Sequence, residues 1–426
     1  MRKIIIRDQR KLTPFNEPAR ELRVLNKPLW LHQRDVLARY CERELAPVDS
    51  LDGLRDEDRA ERVETIVCRD NLFFDQPFID QFIADAQRLG KACRVAFNPD
   101  DRAILHHAIQ LQRGIRREGN YFVADLWYFP YGVEENVRPL LVDTLAHEHG
   151  YYRVPSYMAN EKGDLTYWVP LRAFASIEHW VHLYVANCIF GLFARGARME
   201  TSLERPTTKL SILFRAMWER RQVLRSSPLV QVGKNTVIDP SAVIHGPTTI
   251  GDNCTIGAGT VIDNCVIGNG VNIGQGCQLM LSVVCDRNFL PFNVALFMTT
   301  IMENSIVAQN TCLQMCVLGR DTFIGANNVF TDYNLLAKPI KVLQRDQFVE
   351  TDMPVLGGCV GHNCRLGSGL VIYPARTVES DTILFASKER RVIDRNVTYE
   401  ESDHLKLKDG AKLHRRDYPR EVKPPV

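Results

Sequence analysis

A chain of 426 residues has room for two or three domains with substantial cores. With 45% apolar and 24% charged residues it reads as globular rather than disordered, and a net charge of +2 excludes a bulk electrostatic pull toward nucleic acid. The opening MRKIIIRDQRK has too short an apolar run for a signal-peptide core. The apolar stretch Trp180 to Ala194 contains His182 and Asn187 and falls short of the roughly 20 residues of a membrane span, so a cytoplasmic protein is expected.

In chain order, Lys3–Ile6, Glu64–Cys68, Ala92–Phe97 and Tyr121–Leu126 read as strands. They alternate with helix-like runs at Lys27–Tyr40, Gln76–Leu89 and Ala103–Arg117. This alternation predicts an α/β domain over residues 1–202 with a mostly parallel sheet. His106 and His107 read as the polar face of the third helix. His147-Glu148-His149 lacks the HExxH spacing that puts two histidines on one helix face, and it reads as no metal site. The aromatic residues between Tyr121 and Trp168, Tyr157 among them, read as core.

Residues 203–228 form a linker. Within it, Leu210, Leu213, Phe214, Met217, Trp218 and Leu224 recur at helical spacing beside Lys209, Arg215, Arg220, Arg221 and Arg225. The expected role is a linker helix that packs its apolar stripe between domains; attachment to an anionic membrane surface is the less favoured alternative.

From Val232 an aliphatic residue recurs every sixth position through Ile238, Ile244, Ile250, Ile256 and Ile262. After one skipped residue it resumes at Ile267, Ile273 and Leu279, returns at Ile306, Cys312, Leu318, Ile324 and Phe330, and ends at Val360, Leu366, Ile372 and Val378. A period of six fits a triangular solenoid with three short strands per coil, over residues 229–387. Glycine after the aliphatic residue, as at Gly251, Gly257 and Gly274, eases the close approach of backbones at corners. The fifth place is small, so Cys254, Cys277, Cys316 and Cys364 read as stacked core residues rather than as disulfides or zinc ligands. Asp286 to Asn304 reads as one irregular coil, and Ala337 to Pro354, with Lys338, Lys341, Arg345 and Asp346, as an extruded loop. The charged segment 388–426 is expected to cap the prism or to be partly disordered.

This repeat resembles the hexapeptide-repeat transferases. The resemblance implies a left-handed parallel β-helix, a homotrimer with sites between adjacent prisms, and transfer from acetyl-CoA or another acyl-CoA to a sugar hydroxyl or amine. Histidine suits the general base such transfer needs. The two histidines of the repeats, His362 after the extruded loop and His245, are therefore the catalytic candidates, with His362 first, although both occupy places that usually face solvent. Asp332, just before the loop, is a candidate substrate contact.

The N-terminal residues resemble sugar-1-phosphate nucleotidylyltransferases. Leu12-Thr13-Pro14-Phe15, Pro18 and Lys27-Pro28-Leu29 keep that family's spacing, and Ile66 to Phe73 has the shape of its strand ending in Gly-Asp. The resemblance implies a metal-binding role for Asp70, with Glu178 the nearest second carboxylate, and substrate contacts for Arg20 and Lys27. Where the family has a glycine loop for phosphates, this chain has Arg7-Asp8-Gln9-Arg10-Lys11, and Ala19 aligns with a phosphate-contacting lysine. The domain therefore reads as degenerate, with Mg²⁺ required only if it is active. Bifunctional nucleotidylyltransferase–acyltransferases share this domain order. The combined expectation is a transferase of sugar-nucleotide or cell-envelope polysaccharide metabolism acting on a sugar phosphate or nucleotide sugar. The alternatives are a non-catalytic nucleotide-sugar sensor or trimeric scaffold, and an active nucleotidylyltransferase.

Overall fold

The structure, a computed structural model, describes residues 1–107, 109–153, 164–220, 222–334, 339–344 and 346–420. Tyr157, Arg221, Ala337, Lys338, Arg345 and residues 421–426 lie outside the described residues.

Among the described residues the N-terminal half builds a seven-stranded sheet. Its order is Arg138–Leu141, Cys93–Phe97, Tyr121–Phe129, Thr65–Arg69, Arg2–Ile6 and Arg43–Glu44, with Ile115–Glu118 paired to Tyr121–Phe129. Helix Gln76–Leu89 covers one face: Asp75 caps it by accepting from Phe78 N at 3.0 Å, and Gly90 ends it at a left-handed φ of 62°. Its stripe of Phe78, Ile79, Phe82, Ile83 and Ala86 is buried against Ile66, Cys68, Val95 and Phe97.

Two expectations are corrected here. The sheet is mixed, because Tyr121–Phe129 runs antiparallel to both of its long neighbours. It enters through the tight turn Gly119-Asn120, and a two-residue turn can only return the chain antiparallel. The expected helix Ala103–Arg117 is confined to Arg102–Leu105, and its C-terminal part is the strand Ile115–Glu118. Gly114 has no room for a side chain, since a Cβ there would lie 2.2 Å from Ser176 Oγ. His107 is not on a polar face: it is buried, its Nε2 donates to Trp168 O at 2.7 Å, and burial pushes its pKa down to about 4.

The C-terminal half is a parallel β-solenoid, three sheets of eight strands each around one aliphatic core. Its middle coils are 6+6+5 residues long, while the steps Val232↔Ile250 and Val360↔Val378 at the two ends are 18 residues. The pairs Ile250↔Ile267, Ile267↔Val284, Val284↔Ile301 and Ile301↔Leu318 show the step of 17. The shortened third side recurs in every one of these coils, whereas the sequence pattern shows it clearly only between Ile262 and Ile267. Two corrections follow. Residues 286–304 form a regular coil whose inward residues are Leu290, Leu296 and Ile301; the outward Phe289 and Phe292 make the segment look uniformly apolar. In the next coil the inward residues are Val307 and Leu313, both fully buried, not Ile306 and Cys312, which point outward. A one-residue shift exchanges the two faces of a strand.

Most corners need a residue in the left-handed region three places before the inward one, though Ser241, Pro247 and Gly357 stand there without it. Asn253, Gly259, Gly270, Asn293 and Asn304 meet it in the usual way. One edge of the prism breaks this habit: Leu281, Met298, Met315 and Ala375 adopt φ of 48°, 46°, 53° and 57° there. That strain costs about 1–2 kcal/mol per residue. Burial offsets it, because this edge is wedged under the N-terminal domain, where a Leu or Met side chain gains about 1.5–3 kcal/mol in the core shared with Trp180, Tyr184 and Tyr167. Tyr184 Oη reaches Met298 Sδ at 3.9 Å and Tyr167 Oη reaches Met315 Sδ at 3.8 Å.

The adjoining prism face is closed by the same contact, with Val283, Thr300, Val317, Cys359 and Thr377 buried along it. The segment read as an extruded loop turns back onto its own N-terminal domain. Strands Lys341–Gln344 and Gln347–Glu350 form a hairpin, Gln344 Nε2 donates to Leu111 O at 2.6 Å, and Ile340, Val342, Met353 and Leu356 enter the shared core. The chain from Tyr399 to Arg420 returns along the prism toward the same domain. Tyr418 N donates to Asp381 Oδ2 at 2.6 Å, and Asn16 Nδ2 donates to Tyr418 O at 3.0 Å.

The corrected register makes a paired prediction. Val307→Asp buries an unpaired charge, and the solenoid melts at least 10 °C lower or fails to fold. Ile306→Asp, one residue away and outward, shifts the melt by no more than about 2 °C. Equal losses measured by circular dichroism would contradict the inward assignment.

Candidate functional site

The carboxyl ends of the parallel strands Arg2–Ile6 and Thr65–Arg69 bring Asp8 and Asp70 side by side, the place where open α/β sheets bind ligands. Asp70 is 1% exposed; one carboxylate oxygen accepts from Asp8 N at 2.7 Å, and the other from Arg20 Nη1 at 3.3 Å. Burial pushes its pKa up, against those two donors. Arg10 pairs with Asp8 on one side and with Glu178 Oε2, 2.5 Å away, on the other. Glu178 also accepts from Gly114 N at 2.6 Å and Ser176 Oγ at 2.9 Å.

Thus Asp70, Glu178 and Arg20, all singled out from sequence, lie in one polar cluster, joined by Asp8, Arg10, Gly114 and Ser176. Lys27 is elsewhere, exposed and paired with Asp35 at 2.6 Å. Reading Arg7–Lys11 as a lost glycine loop overlooked what Arg10 supplies: a guanidinium held between two carboxylates. The residues present do not fit a divalent cation. Both oxygens of Asp70 are engaged by N–H donors, Arg10 lies between the other two carboxylates, and no group of three or more metal-ligating side chains occurs among the described residues.

On the solenoid, His245 is partly exposed, and its Nδ1 lies 3.4 Å from Asp263 Oδ2 on the next coil. The outward residues stack in register above it as Asp263, Met280, Phe297 and Gln314. With its amide nitrogen turned inward, Gln314 donates to both carboxylate oxygens of Asp332 at 3.0 Å. Burial raises the pKa of Asp332.

His362 is placed otherwise than its repeat position suggests. It is fully buried between the Lys11–Pro18 hairpin of the N-terminal domain and the returning C-terminal segment, with the Phe15 ring 5.0 Å and the Tyr418 ring 4.7 Å away. Its Nδ1 accepts from Arg320 N at 3.0 Å, so Nε2 carries the proton and faces Glu17 Oε2 at 3.4 Å. Arg320 spans Glu17 at 2.8 Å and Glu303 at 3.1 Å, and Glu303 also binds Arg23 at 2.6 Å. Burial lowers the pKa of His362. Burial also pushes Glu17 and Glu303 up, but His362 with Arg320 at Glu17, and Arg23 with Arg320 at Glu303, bring both below the ordinary carboxylate value. Glu17, Arg320 and Tyr418 do not stand out in the sequence as partners of His362, because they come from three distant segments.

These features define a two-domain protein, a mixed α/β sheet domain joined to a hexapeptide-repeat β-solenoid. Residues 230–264 match the family described as bacterial transferase hexapeptide (six repeats). The chain is also distantly similar to the bifunctional protein GlmU of Geotalea uraniireducens (strain Rf4), with 29% identity over 176 residues, 37% of this chain. The match covers 38% of that relative's length.

The buried network makes stability pH-dependent. The fold holds His362 neutral, with its pKa below the ordinary value of about 6.5. Below that pH the unfolded chain takes up a proton that the folded chain refuses, so stability falls. The lowered Glu17 and Glu303 act in the same direction at lower pH. The melting temperature should therefore drop from pH 7.5 to pH 5, and His362→Gln should flatten that slope. An unchanged slope in the variant would remove His362 as its source.

Proposed function

We propose that the protein is a transferase acting on a sugar phosphate or nucleotide sugar, with acyl transfer from acetyl-CoA or a related thioester to a sugar hydroxyl or amine on the solenoid. The observation that carries this reading is the His245–Asp263 pair: a carboxylate beside one ring nitrogen, with the other nitrogen left for a substrate proton, on a face open to solvent. His245 takes the proton of the acceptor as its oxygen or nitrogen attacks the thioester carbonyl, and the thiolate of CoA leaves. Met280 and Phe297 offer apolar surface along the same column, and the Gln314–Asp332 pair a polar end. His362, the other histidine of the repeats, is sealed and serves the domain junction in this reading.

The N-terminal polar cluster binds the phosphate-bearing part of the substrate through Arg10 and Arg20 and transfers no nucleotide. The second prism face supports a homotrimer: Phe289, Ile306 and Phe323 stack in register on it, each about two-fifths exposed. The likeness to GlmU, whose name marks it as bifunctional, supports separate roles for the two domains. The cytoplasm is the compartment this chemistry needs, because acyl-CoA is found there.

Thiol release from acetyl-CoA, followed with amino-sugar phosphates as acceptors, tests the assignment. His245→Ala should lower kcat by about 10²–10⁴-fold with the melt unchanged, and His362→Ala should lower the melting temperature and leave kcat within a few-fold. Turnover that survives His245→Ala overturns it. Steady pyrophosphate release from a nucleoside triphosphate and a sugar-1-phosphate, lost in Asp70→Ala, would return nucleotidyl transfer to the N-terminal domain.

A further inference from the structure

The linker helix Pro206–Glu219 does not pack its apolar stripe between the domains. Only Ile212 and Ala216 face inward and are buried. On the opposite side Leu210, Phe214, Met217 and Trp218 are 69%, 65%, 75% and 77% exposed, one continuous stripe at i, i+4, i+7 and i+8. Val223 and Leu224, next along the chain, are also exposed. A groove lined by Ser211, Phe214, Arg215, Trp218, Ser227 and Pro228 runs beside the stripe.

The helix is held firmly in this pose. Glu219 accepts from Ser227 N at 2.9 Å and pairs with Arg215 at 2.9 Å, and beyond the helix Arg225 Nη2 donates to Ala242 O at 2.6 Å. Turning its buried residues outward would break the Ser227–Glu219 hydrogen bond.

Charge decides what covers the stripe. Between residues 205 and 225 the sequence has six basic residues and one acidic residue, while the whole chain carries only +2. This short segment is strongly cationic and the remainder of the chain is net acidic. Four large apolar side chains including Trp and Phe, flanked by Arg205, Lys209 and Arg220, match an anionic lipid surface. The fit to a second copy of the same stripe is poor, because a self-complementary contact would set like charges against each other. No described helix is long and apolar enough to cross a membrane, so the contact is peripheral.

We propose that helix Pro206–Glu219 is an interfacial anchor that lays Leu210, Phe214, Met217 and Trp218 into an anionic membrane surface. Such an anchor holds the solenoid at the bilayer, where lipid-linked acceptors would be in reach; this assignment stands whether or not the transferase reading holds.

The full-length protein is spun with vesicles of phosphatidylcholine alone and of phosphatidylcholine mixed with phosphatidylglycerol. It should pellet with the mixed vesicles only, release in high salt, and shift Trp fluorescence to the blue. Phe214→Ser combined with Trp218→Ser should reduce binding at least tenfold with an unchanged melt, since both side chains are exposed. Lys209→Glu, which leaves the apolar stripe intact, should weaken binding at least about fivefold. Failure to pellet, or binding that survives the double variant, overturns the proposal. A fall in molecular mass by sedimentation equilibrium in the double variant, without vesicles, would instead assign the stripe to contact between copies.

Discussion

The structure depends on how the solenoid turns its corners. Most corners demand a left-handed residue, and Asn, Asp or Gly meets that demand at little cost. Along one edge the demand falls on Leu281, Met298, Met315 and Ala375. These side chains are poor at the required φ and greasy if exposed. Both problems are solved at once by the segment from Trp180 onward, which covers that edge and makes the two domains share a core. The solenoid therefore cannot be treated as a free rod with a domain tethered to it. Its least favourable edge is also its principal interface.

That interface has a polar counterpart. At the Lys11–Pro18 hairpin the contact passes through Glu17, Arg23, Glu303, Arg320 and His362, charges drawn from both domains and sealed by Tyr418. Buried charges are weak evidence of net stability, but removing one partner strands the others and is costly. Such a network fixes the relative register of the two domains more than it adds to their affinity. The Arg10 bridge at the strand ends has the same logic on a smaller scale. A fixed guanidinium between Asp8 and Glu178 needs no metal to neutralise them.

With one face of the prism given to the N-terminal domain, the other two acquire distinct characters. One presents the column Phe289, Ile306 and Phe323. The other presents His245, Asp263, Met280, Phe297 and Gln314. The coil length fixes this division: residues one coil apart stack about 4.8 Å from each other, so any residue type repeated at that interval becomes a stripe. An apolar column and a column that begins with a titratable pair thereby stand on separate faces of one small prism.

The period of six, the small fifth place and the glycines after the aliphatic residue were legible because each coil repeats the same local demand. Helix Gln76–Leu89 was legible because its cap, apolar stripe and closing glycine are all local signals. The sequence also marked Asp70, Glu178 and Arg20. It could not fix the inward residues around Ile306 and Val307, because two adjacent aliphatic residues satisfy a period of six equally well. Only stacking on Leu290 and Ile324 chooses between them. Nor could it show that Arg10 occupies the space between two carboxylates, that His362 is sealed, or that the stripe of Leu210, Phe214, Met217 and Trp218 is left uncovered. Each of these depends on which distant segments meet: residue 10 with 178, 362 with 17 and 418, and the linker helix with nothing among the described residues on its outer side. Local periodicity determines which residues point the same way, but burial is decided by what the rest of the chain brings against them.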